Sequence, residues 1–228
     1  MKVAIHQPNF FPYPGFFHKL TLADTFVIMD NTQYDKKFTN RNKIVIPKGW
    51  TWIQVPINKN HKFSPNKSVE INNEISWKAK HLKMLQRSYS NSNYYKTFEH
   101  FFEDLYSNDW KMLFDLNFTS LKKTLDFLNI KIKIIKESEL DISGKSTKRL
   151  VNICKAIGAD IYVSGIGGKN YMDEKSFSEN KIKIEYQNYS SVVYPQHQTH
   201  EFIPDLSIID LLFNLGKDSL KAIKKEPY

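Results

Sequence analysis

A histidine and a glutamine side by side at the end of a short apolar run are the first residues of this chain with chemistry to offer. Val3-Ala4-Ile5 leads straight into His6-Gln7-Pro8. An imidazole exchanges a proton near neutral pH or binds a phosphate. A glutamine amide can both donate and accept hydrogen bonds. His6 and Gln7 are the catalytic candidates, and Asn9 beside them is a candidate for binding substrate. Pro8, Pro12 and Pro14 restrict the loop that carries them, because each fixes its own φ. The competing reading is a histidine that only hydrogen-bonds its own loop.

Three further groups carry polar chemistry. The stretch 33–41, QYDKKFTNR, is dense in polar and basic side chains. With the residues around it, it offers Asp30, Gln33, Tyr34, Lys36, Arg41 and Asn42 as substrate contacts. Arg41 is suited to two-point binding of a carboxylate or phosphate, and a solvated loop is the plainer reading. The segment SGIGGKN, 164–170, follows an apolar run. Its small residues let backbone N–H groups approach an anion closely, so Ser164, Gly165, Gly167, Lys169 and nearby Tyr171 join the candidates. It lacks the spacing of a P-loop or of a dinucleotide fingerprint. HQTH holds His197 and His200 three apart, but no HExxH pattern or carboxylate accompanies them, and Pro195 and Pro204 argue against a helix there. No metal site is assigned; Gln196 and His200 are taken as substrate contacts. There is no GxSxG, and Cys154 sits in an apolar helical stretch, where a thiol is inert.

The elements that must position these groups follow from periodicity. Residues 2–5 read as a strand, 16–22 as an amphipathic helix, and 25–29 as a second strand ending in Asp30-Asn31. A β-α-β unit of this length makes its strands parallel, so both polar strand ends face one crevice. Residues 43–46 and 51–56 alternate around Pro47-Lys48-Gly49 as a hairpin, with Trp50 and Trp52 on one face. Three aromatic-rich helical stripes follow over 76–128: Trp77, His81, Met84, Leu85; then Tyr95, Phe98, Phe102, Leu105; then Trp110 through Leu128. They read as core rather than as a cofactor box. Residues 130–135 read as a strand, and 146–157 as a helix capped by Ser146 or Thr147 and closed at Gly158. Residues 161–163 and 182–186 read as strands, and 202–215 as a last helix. The expected fold is α/β, a Rossmann-like, mostly parallel sheet with a β-hairpin and a helical insertion at about 76–128, in one domain spanning 1–228.

Composition narrows the function classes. An aromatic fraction of 14% supplies core area despite a hydrophobic fraction of 41%. A single cysteine excludes an intrachain disulfide and a cysteine metal cluster. It fits a reducing, cytoplasmic setting. The first residues form a strand rather than a charged leader. No apolar run nears the ~20 residues of a membrane span. The net charge of +9 reads first as solvated surface lysine with no specific partner, and next as suited to a phosphate-bearing small molecule. Nucleic acid is disfavoured, because acidic residues are interspersed and no nucleic-acid motif appears. Oligomeric state is left open.

Three segments together resemble the WbqC-like protein family of bacteria: HQPNFFPYPGFFHKL with ADTFVIMDNTQYDKKFTNRNKI, then ICKAIGADIYVSGIGGKNYMDEKSF, then EFIPDLSIIDLLFNLG. Members are often encoded among genes for O-antigen and other surface glycans. That setting, together with a polar crevice beside the basic cluster, motivates the expected activity: transfer of an acyl or aminoacyl group to a nucleotide-linked amino sugar, with Arg41 and Lys36 neutralising phosphate. The amide would form through an acyl-adenylate, with ATP positioned by His6 and the 164–169 loop, or from a carrier-bound donor without ATP. A non-catalytic protein that binds a nucleotide sugar or glycan intermediate is the alternative. The strand-one histidine also resembles the nucleotidyltransferase superfamily that includes pantothenate synthetase, although Pro8-Asn9 stand where its second histidine would be.

Overall fold

A computed structural model describes residues 1–59, 61, 63–199 and 201–225. Five strands form one wholly parallel sheet: β1 (Lys2–His6), β2 (Thr25–Ile28), β5 (Lys133–Lys136), β6 (Ile161–Ser164) and β7 (Lys183–Tyr186). Their spatial order is β5-β2-β1-β6-β7. The chain moves outward from β1 in one direction, then returns to β1's other side. This reversal places a crevice between the carboxyl ends of β1 and β6, where open α/β sheets bind ligands. The fold is Rossmann-like α/β. Between β2 and β5 run a separate antiparallel hairpin, β3 (Arg41–Ile46) with β4 (Gly49–Gln54), and three helices, α2 (Trp77–Tyr89), α3 (Tyr95–Ser107) and α4 (Leu113–Phe127).

Alternation along the strands divides the core. Ala4, Phe26 and Ile28 face a large aromatic cluster built with α1 (Pro14–Thr21), the hairpin, α2–α4 and α7 (Ile208–Leu215). Val3, Ile5 and Val27 face a smaller cluster formed with α5 (Ser146–Ala156), α6 (Glu174–Glu179) and β6. The three aromatic stripes are core, as their spacing implies: Trp77, Phe98, Phe102, Leu113 and Leu121 are all buried.

Several element boundaries differ from the sequence reading, each for a local reason. The strand expected over 130–135 begins only at Lys133. The residues before it close α4, with Asn129 left-handed at φ 52° and the Ile130 N–H donating to the Leu125 carbonyl at 2.9 Å. That is a Schellman ending, which uses up the apolar Ile130 as its outer contact. The helix expected over 202–215 starts at Ile208, because Pro204 and left-handed Asp205 precede it and the Ser207 hydroxyl caps it. A short helix, α8 (Ser219–Lys224), follows. Neither expected hydroxyl caps α5: the residue before it is Lys145, and Thr147 Oγ1 instead accepts from the Asp173 N–H at 3.1 Å. Asp173 in turn caps α6, which the apolar pattern did not reveal.

The loop after β1 lies inside the protein, with Phe10 and Phe11 buried. Its backbone groups therefore need partners within the fold. Asn42 Nδ2 donates to the Phe11 carbonyl at 2.6 Å and to the Phe10 carbonyl at 3.3 Å. Ser207 Oγ donates to the Phe11 carbonyl at 2.8 Å. The Phe10 N–H donates to the Phe38 carbonyl at 3.0 Å. Removing the Asn42 amide leaves buried carbonyls unsatisfied, which costs about 1–3 kcal/mol. Asn42→Ala should lower the urea midpoint accordingly at unchanged slope. A midpoint equal to the wild type would show that this amide does not hold the loop.

Candidate functional site

At the carboxyl edge of the sheet lies a cavity of about 570 Å³. That volume is typical of sites for small organic ligands. Its walls come from four places: Ile5, His6, Gln7 and Asn9 at the end of β1; Met29 and Thr32 after β2; the loop carrying Asp35, Lys37, Phe38 and Thr39; and Ser146, Arg149 and Leu150 of α5, with Tyr162 and Tyr171 beyond.

His6 is half-buried, and its ring stands edge-on to Phe16 at 5.1 Å between centroids. Nδ1 lies 2.9 Å from the Gln7 carbonyl oxygen. A carbonyl can only accept, so Nδ1 carries the hydrogen and Nε2 holds the lone pair. Burial, then the positive charge of Lys19, bring the imidazole from its ordinary value down to about 3. Lys19 itself is buried, with Nζ donating to the Ile5 carbonyl at 3.2 Å, and burial lowers it to about 7. The ring at the end of β1 is thus a neutral acceptor in one fixed tautomer.

Arg149 supplies positive charge on the wall formed by α5. Its Nε donates to Glu137, whose carboxylate is buried, and Nη1 donates to the Gly144 carbonyl at 3.1 Å. Held from behind, a guanidinium is a rigid receptor for an oxyanion. It sits near the start of α5, whose leading N–H groups have no side-chain cap and whose own first turn holds no acidic residue. Ser146, at that helix start, is left-handed with φ 49°, a conformation that costs energy outside glycine.

Of the residues singled out from sequence, His6, Gln7, Asn9 and Tyr171 are brought together at this cavity. The others are placed elsewhere. Asp30 is buried and accepts from the Ser138 N–H at 2.9 Å and the Ser138 hydroxyl at 2.5 Å, tying β2 to the turn after β5. Tyr34 is buried and donates to Asn40 at 3.0 Å. Asn42 is spent on the 10–11 backbone. Gln33 is exposed and bridges to Pro65, and Lys36 is exposed; neither lines the cavity. Arg41 stacks on Trp52 at 4.2 Å and donates to the Lys37 carbonyl at 3.2 Å. Ser164 is buried, its hydroxyl donating to the Gly165 carbonyl at 3.0 Å. Gly167 meets open space, and Lys169 lies over the Tyr186 ring at 4.8 Å. The position in that loop that requires glycine is Gly168, where a Cβ would meet Ser164 Oγ and stand 2.8 Å from Met172 Cε. Gln196 is buried among Tyr194, Asp210 and the Ile203 backbone, away from the cavity. His200 lies outside the described residues; His197 is exposed. Among the described residues no group of three or more His, Cys, Asp or Glu side chains is arranged to hold a metal ion. Cys154 is buried and its thiol is pushed up to about 12.

Sequence reasoning missed Arg149 and Ser146. The signal was available. A helix that precedes a parallel strand runs antiparallel to it, so its first turn lies at the sheet's carboxyl edge beside His6. Lys37 and Asp35 were missed in favour of Lys36, since an irregular loop has no periodicity to say which neighbour turns inward.

A family model described as the WbqC-like protein family matches residues 7–222. An uncharacterised protein of Mycobacterium tuberculosis (strain ATCC 25618 / H37Rv), Rv1507c, is 30% identical over 220 residues, covering 96% of this chain and 95% of that protein. No solved structure matches the chain significantly. No helix among the described residues is long and apolar enough to cross a membrane.

The histidine at the cavity floor yields a measurable expectation. Its folded value of about 3 lies below the ordinary 6.5. Between those values the unfolded chain binds the extra proton, so this group lowers stability progressively as pH falls from 6.5 and no further below about 3. Nitrogen-detected NMR of the imidazoles should find His6 neutral, with its proton on Nδ1, down to pH 5. Titration with a midpoint near 6.5 would contradict the half-buried, lysine-flanked setting.

Proposed function

We propose, for a chain that belongs to the WbqC-like protein family, that the cavity joins an acyl or aminoacyl group to the amine of a nucleotide-linked amino sugar. The observation that supports this reading best is the neutral His6 ring, lone pair on Nε2, across a cavity from Arg149 and the uncapped start of α5. The phosphates of the substrate would lie against Arg149 and the first α5 amides, where charge and N–H groups converge. The sugar amine would then reach His6.

A protonated amine is no nucleophile, and a site that disfavours a cation beside Lys19 favours the free base. The amine nitrogen attacks the acyl carbon, forming the C–N bond. The C–O bond of an acyl-adenylate, or the C–S bond of a carrier thioester, then breaks. His6 Nε2 accepts the amine N–H and takes its proton as the adduct collapses. An anionic ligand nearby raises the histidine toward the range where it can do so. The Gln7 amide is suited to donate to the developing oxyanion. Glycan assembly is the setting that the family resemblance suggests.

The alternative, a protein that binds the same ligand without turnover, gains from the same low histidine value, since a ring so reluctant to protonate serves well as a plain hydrogen-bond acceptor. The two readings separate in one assay. Incubation with amino-sugar nucleotides, amino acids and ATP, or with thioester donors, should give an amide detectable by mass spectrometry. His6→Ala should slow product formation about a hundredfold or more, the usual share of a positioned acid–base group. Arg149→Gln should mainly raise KM. Ligand-induced thermal stabilisation with no amide from any donor would favour the binding protein.

A further inference from the structure

The outer face of the β3–β4 hairpin carries a feature that the cavity alone does not use. Alternation turns Asn42, Ile44 and Ile53 inward, where they are buried, and leaves Arg41, Lys43, Trp50 and Trp52 on the other side. Lys43 pairs opposite Trp52 in the ladder. The Arg41 guanidinium lies 4.2 Å from the Trp52 ring, and Lys43 Nζ lies 4.6 Å from the Trp50 ring. The rings follow one another: Phe38 to Trp52 at 6.0 Å, Trp52 to Trp50 at 5.3 Å. Phe38 is 41% exposed and Trp50 43% exposed. Phe38 also lines the cavity. A stripe of aromatic rings edged with cations therefore starts inside the cavity and runs out along the hairpin.

We propose that this stripe, beginning at Phe38, stacks the base of a nucleotide whose phosphates lie in the cavity. The proposal rests on the reading that the cavity receives a nucleotide-linked substrate. Three observations select a base over other apolar groups. Stacking needs exposed rings, and Phe38 and Trp50 are exposed at the two ends of one continuous run of rings through Trp52. The cations beside the rings complement a ligand that bears negative charge, whereas a neutral acyl chain would be better served by an apolar trough without Arg41 and Lys43. Finally, continuity through Phe38 lets one ligand span both regions, and a base held at the mouth leaves the cavity floor open to the second reactant. Any base would be accepted, because each has a π-face. Arg41 and Lys43 add attraction to the stacked ring and its phosphate.

Calorimetric titration with UMP and AMP, set against ribose 5-phosphate and inorganic phosphate, tests this on the full chain. The nucleoside monophosphates should bind at least about tenfold tighter than ribose 5-phosphate, a factor within the range of a single base stack. Phe38→Ala should reduce that ratio to below about threefold, and Phe38→Trp should preserve it, which separates stacking from damage to the fold. Equal affinity for UMP and ribose 5-phosphate, an unchanged ratio in Phe38→Ala, or no binding of either nucleotide would overturn the proposal. The amide assay fails independently. Amide formed from an amino sugar without a nucleotide would remove the base subsite and leave the transfer chemistry standing. Base-dependent binding without any amide would do the reverse.

Discussion

The carbonyl oxygen of Phe11 is the point on which the rest of the structure depends. A loop that carries Phe10 and Phe11 into the core buries its own backbone, and buried backbone must be satisfied. The fold meets that demand from two distant places at once, the Asn42 amide and the Ser207 hydroxyl. Phe11 is itself left-handed at φ 42°, a cost that the surrounding bonds over-determine. Fixing this loop fixes the direction in which β1 releases its last residues. The hairpin is joined to the sheet through the same contacts, since Asn42 belongs to β3 and the Ser207 N–H also donates to the Lys43 carbonyl.

What that anchoring delivers is a histidine whose state is set by its surroundings. His6 ends a strand whose alternate residues feed two different cores, so the ring turns toward Phe16 and Lys19 while Ile5 turns toward α5. The Gln7 carbonyl selects the tautomer. Across the cavity, Glu137 and the Gly144 carbonyl hold Arg149 in the same manner. The two walls are alike in design: a side chain that lines the cavity is oriented by a hydrogen-bonded partner.

The sheet and its helices were legible because burial leaves a pattern in the sequence. Val3-Ala4-Ile5 is an unbroken apolar run because a central parallel strand is buried on both faces, and the three-to-four spacing of the aromatic stripes records burial of one helix face. Helix ends and short helices were less legible. Asn129, Asp205 and Asp173 act through single backbone bonds that leave no repeat in the pattern. The site was partly legible. His6 and Gln7 stand at a strand end, where topology requires a crevice. Asp30, Tyr34, Asn42 and Gln196 have the polar composition of ligand contacts but serve the backbone and one another, and composition does not distinguish those uses. Polar side chains next to a buried loop are often its hydrogen-bond partners, and here that loop was hidden behind its own prolines.

The bonds at Phe11 also order events in time. Asn42 closes over it from 31 residues away, but Ser207 comes from 196 residues away. The neighbour that completes β1 on its other side begins at Ile161. A chain emerging from the ribosome therefore makes its loop of Phe10 and Phe11 well before Ser207, the second partner of the Phe11 carbonyl, exists. Contacts of such separation form slowly, and apolar surface exposed meanwhile invites association. The segment that gives the cavity its histidine thus waits for residue 207 before its buried loop has both partners of the Phe11 carbonyl.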